Sequence, residues 1–341
     1  MDALRGNPQL LISENLVVTM KKIRALLALF LCLVIFVAPV LAADETTAAT
    51  PDDASQSADT SAEAAVSAAP EYHANAKAAL LIDLNTGRTI FEQNADEQVY
   101  PASLTKIMTC LLALENGNLS DTVTITENAY ADLVSGSSTA DLQVGEQLRL
   151  EDLLYCMMVE SGNEAANAVA AHIGGTIEDF VQMMNERAYA LGCTHTHFMN
   201  PHGLHNDSHY TTARDLSLIV EAALKSENFR TITNTAEYTL PATNLSDERI
   251  LKTTNMLIFQ NSGNRYYYPK AIGIKTGYTT PAGRCVISAA KSDGMYLLGI
   301  ICGAETTVLE TGDIQMESFP ECIRLFNYGF DNFSYVSVLS P

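Results

Sequence analysis

With 341 residues and 47% hydrophobic content, the chain can bury a large core and reads as globular. Its 40 acidic against 20 basic residues give a formal charge of −20, which argues against nucleic acid and anionic lipid headgroups as partners, because the field of the whole protein repels them. Charge of this kind bears on partners and solubility, not on fold.

In chain order, the first organised segment is a targeting sequence. Met20-Lys21-Lys22-Ile23-Arg24 is a basic start, Ala25 to Val37 is an unbroken apolar run, and Val40-Leu41-Ala42 presents short residues where a signal peptidase reads. Residues 20–42 are therefore expected to be a signal peptide cleaved after Ala42, with Met20 as the native start and export as the consequence. Leu31 is too large for the position before a lipidated cysteine, so Cys32 does not indicate a lipoprotein. The alternative is an uncleaved anchor, since the apolar run is nearly long enough to span a bilayer; membrane contact is expected only in that case.

From Ala43 to Pro70 the chain carries six acids, no base and mostly Ala, Thr and Ser. Such a segment cannot offset its ordering entropy by burial, and an acidic, disordered linker over 43–74 is predicted. The folded domain, 75–335, opens with a hairpin: Ala78 to Leu84 and Arg88 to Gln93 flank Asn85-Thr86-Gly87. A helix follows Pro101 and stops near Asn116-Gly117. A helical block runs from Leu150 to about Ser226, with Thr176 and Thr212 as helix-starting caps and Gly192 as a stop. Strands return at Ala271 to Thr279, Arg284 to Lys291 and Met295 to Cys302. The order predicts an α+β (α/β) protein in which a helical subdomain is inserted into a sheet-bearing one, with a cleft between them.

Ser103-Leu104-Thr105-Lys106 places a hydroxyl and an amine three residues apart at the start of a helix, on one face. A serine needs a base to become nucleophilic, and a desolvated, neutral lysine can serve. Two companions follow in order, Ser161-Gly162-Asn163 and Lys275-Thr276-Gly277. Second copies occur at Ser288-Ala289-Ala290-Lys291 and Ser262-Gly263-Asn264. The first lies in a strand-like run, where residues i and i+3 face opposite sides, and the second in a polar loop, so neither is assigned a role.

On these motifs, together with Ser161-Gly162-Asn163-Glu164-Ala165, Asn200-Pro201-His202-Gly203-Leu204, His209-Tyr210-Thr211-Thr212-Ala213-Arg214-Asp215 and Gly273-Ile274-Lys275-Thr276-Gly277-Tyr278-Thr279, residues 76–333 resemble the serine D-alanyl-D-alanine carboxypeptidases, low-molecular-mass penicillin-binding proteins. The resemblance implies the serine β-lactamase/DD-peptidase fold, an antiparallel sheet flanked by helices with an all-α insert. It implies removal of the terminal D-alanine from peptidoglycan stem peptides through an acyl-enzyme, with β-lactam antibiotics as further acylating partners and no cofactor. Ser103 is then the nucleophile and Lys106 the base, its pKa depressed by Lys275. Ser161 relays the proton and Asn163 holds the substrate backbone. Lys275 and Thr276 meet the free carboxylate, and Gly277 leaves room for substrate. The backbone N–H groups of Ser103 and Tyr278 form the oxyanion hole. The family usually has aspartate at Glu164, and some members have arginine at Thr254, where no substrate role is therefore assigned.

Two alternatives differ in kind. A class A β-lactamase shares the three motifs but hydrolyses its acyl-enzyme with a glutamate-positioned water, and Cys193 to Tyr210 contains no glutamate. A non-catalytic penicillin-binding sensor would not need the intact set of motifs. Five histidines crowd into His195, His197, His202, His205 and His209; they are read as a polar loop beside the cleft, with no metal assigned. A turn at Asp293-Gly294 would set Cys285 opposite Cys302, and neighbouring free thiols are favoured there over a disulfide. Residues 321–327 are expected to end the domain as a helix, with Leu325 and Phe326 inward. The chain stops at Pro341, where many relatives continue into a β-rich domain and an anchoring helix, so a short form or a truncated sequence is expected.

Overall fold

The computed structural model describes residues 69–310 and 312–336. The predicted signal peptide and nearly all of the predicted linker lie outside the described residues. Within the last residues of the predicted linker, Tyr72 and Ala74 pack against the described fold. Tyr72 packs edge-on against Phe91 and stacks on Tyr328, its hydroxyl bonds Glu321, and Ala74 is buried. Aromatic burial outweighs the ordering cost there, and the polar composition just upstream conceals it.

Strands β1 (Ala78–Asp83), β2 (Arg88–Gln93), β7 (Ala271–Thr279), β8 (Gly283–Ser292) and β9 (Met295–Ala304) form one antiparallel sheet in the order β2-β1-β9-β8-β7. Between β2 and β7 the chain builds α1 (Lys106–Asn116), α2 (Leu150–Met158), α3 (Asn163–Gly174), α4 (Ile177–Ala190), α5 (Ala213–Ala223) and α6 (Glu227–Thr233). Two short ribbons interrupt the helical block, β3 (Thr122–Thr124) with β4 (Gln147–Arg149), and β5 (Glu237–Leu240) with β6 (Arg249–Lys252). Three-residue and four-residue strands leave too little periodicity to be read from sequence. A last ribbon, β10 (Thr306–Val308) with β11 (Ile314–Met316), precedes α7 (Ser318–Asn332).

The central strands are apolar on both faces because both faces are covered. Along β1, Ala78, Leu80 and Ile82 join the core under the helical block, while Ala79 and Leu81 join the core under α7. The α7 face is the one expected from Leu325 and Phe326, both fully buried, and the helix is longer at each end than the sequence suggested. Gly299 on β9 lets α7 come close: an added Cβ there would lie 3.1 Å from the Phe326 ring. The caps at Thr176 and Thr212 accept N–H bonds from Asp179 and Asp215, both at 3.0 Å.

The β8–β9 register runs from Ser292–Met295 to Val286–Ile301 and then slips by one residue at Gly303, whose φ of +71° accommodates a bulge. Cys285 and Cys302 are both buried and unbridged there, and the Cys285 thiol donates to the Ala282 carbonyl oxygen at 3.7 Å.

Because α7 covers one whole face through few large side chains, Phe326→Ala is expected to lower the unfolding free energy by about 3–5 kcal/mol. Denaturant titration measures this, and a loss under 1 kcal/mol, on the order of a surface change, would contradict the packing described.

Candidate active site

Ser103 sits in a 3-10 turn, Ala102–Thr105, that leads directly into α1. Ala102 holds a left-handed φ of +48°, and the next residue is half-buried at the floor of a cavity. The turn is wedged between β7 and the His202-Gly203 loop. At Gly203, with φ +91°, an added Cβ would fall 1.8 Å from the Ala102 carbonyl oxygen; at Gly277 it would fall 3.0 Å from Ser103 N. Gly277 therefore admits the backbone of Ser103 against β7, in the place where the sequence analysis expected room for substrate.

Lys106 is fully buried. Its Nζ lies 3.0 Å from Ser103 Oγ, 2.6 Å from Asn163 Oδ1 and 2.8 Å from the His202 carbonyl oxygen. Two of these partners only accept, so a neutral amine can donate its two hydrogens to them and turn its lone pair to the Ser103 hydroxyl. Burial pushes the Lys106 ammonium well below its ordinary range, and the like charge of Lys275 adds to the effect. Desolvation, not the expected repulsion, is the larger cause.

Ser161 comes from the tight turn between α2 and α3. Its φ of +67° is strained for a side chain other than glycine, and Asn163 opens α3 immediately after. Lys275 on β7 is also buried, with Nζ 3.0 Å from Ser161 Oγ and 3.2 Å from the Thr276 carbonyl oxygen. Burial lowers it to about 7. Three remote stretches thus converge, with Ser103, Ser161, Asn163, Thr276, Gly277 and Tyr278 lining one cavity of about 410 Å³. The two lysines stand behind its wall. The unpaired edge of β7, the last strand of the sheet, runs along it.

Several supporting residues escaped the sequence reading. Thr254 lines the cavity and its hydroxyl is 2.6 Å from that of Thr276. Asn255 donates to the Gly273 carbonyl oxygen at 2.7 Å and so fixes the start of β7. Glu164 is buried and accepts the Ala140 N–H, tying the loop before it to α3; burial raises its carboxyl pKa. Asp132 accepts from His202 at 2.9 Å, while His202 Nδ1 accepts the Leu204 N–H at 3.1 Å, which puts the imidazole proton on Nε2. The signal for these is tertiary; only the His-Gly-Leu triplet hinted at any of it.

The second copies stand apart. Ser288 is buried in β8 and bonds the Gly273 carbonyl oxygen, while Lys291 is exposed. Ser262 lies in an exposed loop. The histidines do not converge: His209 bonds Thr105 Oγ1 at 2.9 Å and burial drops it to about 3, His197 bonds the Ser208 carbonyl, and His205 pairs with Asp207.

The chain belongs to the D-alanyl-D-alanine carboxypeptidase family, whose sequence profile matches residues 63–306. Among its relatives, D-alanyl-D-alanine carboxypeptidase DacF of Bacillus subtilis (strain 168) is 37% identical over 236 residues, 68% of this chain and 58% of that protein. D-alanyl-D-alanine carboxypeptidase DacC of Escherichia coli (strain K12) is 32% identical, covering 78% and 64%. The chain thus spans about three fifths of the length of these relatives. The solved DD-transpeptidase of Streptomyces K15 superimposes with a TM-score of 0.68 at 31% identity, covering 77% of this chain and 99% of that one. The fold is accordingly that of the DD-peptidases, an antiparallel sheet flanked by helices.

The two buried amines should be distinguishable by lysine-selective NMR titration. Raising the pH is expected to deprotonate Lys275 near pH 7 and Lys106 well below the ordinary lysine range. Lys275→Met removes a nearby positive charge and should move the Lys106 transition upward. A Lys106 amine titrating near its free value would contradict the burial argument.

Proposed function

We propose that this protein is a serine peptidase that removes the terminal D-alanine from peptidoglycan stem pentapeptides and is acylated by penicillin. The observation that carries this reading is the Lys106 amine, buried, 3.0 Å from Ser103 Oγ and supplied with two acceptors for its own hydrogens. That arrangement is what a neutral lysine base requires.

In the forward step Lys106 takes the Ser103 proton as Oγ bonds to the carbonyl carbon between the two D-alanines. The carbonyl oxygen becomes an oxyanion facing the N–H groups of Ser103 and Tyr278; one such donor is typically worth about 2.7–4 kcal/mol. As the C–N bond breaks, the departing amine takes the proton that Lys106 gained, passed through Ser161, whose hydroxyl is bonded to Lys275, and Lys106 is neutral again. Asn163 holds the peptide, Gly277 keeps β7 against the nucleophile, and Thr276 meets the free carboxylate with the charge of Lys275 behind it. Water then attacks the ester carbon as Lys106 takes its proton, and Ser103 Oγ departs with that proton returned to it, releasing the shortened peptide. No glutamate lies between Cys193 and Tyr210, so a penicilloyl-enzyme lacks the water-positioning group of the class A β-lactamases and persists. Residues 20–42 export the protein, a linker follows, and the site works outside the cytoplasm on the cell wall. Among the described residues no helix is long and apolar enough to cross a membrane.

Incubation with a D-Ala-D-Ala pentapeptide should release free D-alanine, and Ser103→Ala should reduce the rate by at least about a thousandfold. Penicillin acylation without any D-alanine release would instead favour the sensor reading. The rate should rise with pH as Lys106 loses its proton, then fall above about 7 as Lys275 loses the charge that supports Ser161 and the carboxylate. Gly203→Ala, which drives a Cβ into the Ala102 carbonyl, should slow penicillin acylation by on the order of a hundredfold through displacement of Ser103.

A further inference from the structure

A second cavity, of about 480 Å³, opens beside the active one and shares Leu204 and Thr279 with it. Its place follows from the direction of β7. In the proposed reaction the substrate's free carboxylate lies at Thr276 and the carbonyl under attack at Tyr278, so moving along β7 in chain order leads toward the substrate's amino-terminal side. Strand residues advance by about 3.3 Å each. The residue before the two D-alanines, the third of the stem peptide, therefore comes level with Thr279 and the mouth of the second cavity.

That cavity has the chemistry to take a long side chain with a cationic end. Val134 and Met199 are exposed beside Leu204 and form an apolar rim along which methylenes can lie. Among the described residues Asp132 is the one carboxylate on the wall, and no lysine or arginine lines it. The Asp132 oxygens accept from His202 Nε2 at 2.9 Å and from Asn167 Nδ2 at 2.8 Å. The carboxylate is still half-exposed and has acceptor sites to spare. The His202 bond also holds the Asp132 carboxyl below its usual range, so it is ionised at neutral pH. The imidazoles on the wall add no competing cation: burial lowers the pKa of His202, and His205 pairs with Asp207. We propose that this cavity receives the side chain of the third stem-peptide residue, and that Asp132 selects one ending in a free amine. The inference rests on the carboxypeptidase reading and names the substrate class of that site.

The test compares three tripeptides that differ only in the first side chain: Nα-acetyl-Lys-D-Ala-D-Ala, its Nε-acetyl derivative, and the analogue with glutamate in place of lysine. At low salt, wild-type protein should release D-alanine from the free amine with a kcat/KM about fivefold above that for the acetylated form, the scale of an ion pair on a partly exposed wall. Glutamate should be the poorest of the three, and added salt should narrow the gap. Asp132→Asn should bring the first two rates together. Asp132 also holds His202, so an equal fall for every probe and for benzylpenicillin acylation would mark a structural role and overturn the assignment. Met199→Lys leaves the Asp132–His202 bond in place and sets a cation at the rim; it should reduce the amine preference and relieve the penalty on glutamate. A wild-type protein indifferent to the amine, or a preference that survives both substitutions, overturns the subsite and leaves the peptidase reading intact. If no probe yields D-alanine while penicillin still acylates the protein, the peptidase reading fails and the subsite falls with it.

Discussion

The site depends on the removal of one amine from water. Lys106 is buried where the nucleophile turn, the start of α3 and the His202 loop meet, and each contributes one of its three close contacts. A charged ammonium in that position costs several kcal/mol in desolvation. The neutral form escapes that cost and has the free lone pair that the proposed role of Lys106 as a base requires. The wall around it must then be tight, which accounts for the glycines at 203 and 277, where any Cβ would meet the backbone of the turn. It also accounts for the left-handed Ala102 and Ser161, strain that the surrounding packing holds in place.

The sheet supplies rigidity on one side of this arrangement. Its three central strands are buried on both faces, between the helical block and α7, so β7 is held along β8 while its other edge stays open to the cavity. An edge strand is ordinarily a hazard because its unpaired groups invite another strand. Here the open edge borders the cavity, and the proposed function would use its backbone groups to bind an extended peptide.

Charge is distributed in opposition to the molecule's net balance. The surface is strongly acidic, yet the cavity wall carries no acid among the described residues and one arginine, with a second cationic group behind it. Fields inside a low-dielectric cleft are screened far less than those across the surface. The proposed function, in which a small anionic substrate end is captured locally by a protein that repels polyanions at a distance, is compatible with that distribution.

Much of this was legible in the chain. Ser103 and Lys106 are three residues apart on a helix start, so local geometry alone brings them together, and the β1–β2 and β8–β9 hairpins follow from their turns and apolar runs. Sequence could not decide what lies across a fold. That Lys275 reaches Ser161, that Thr254 and Asn255 brace β7, that Asp132 fixes His202, and that Tyr72 belongs to the core all depend on contacts between residues from 18 to 249 positions apart. Periodicity and spacing report a residue's own element. Only the closing of the chain determines how much water each amine loses, and that loss is what the proposed role of Lys106 as a base requires.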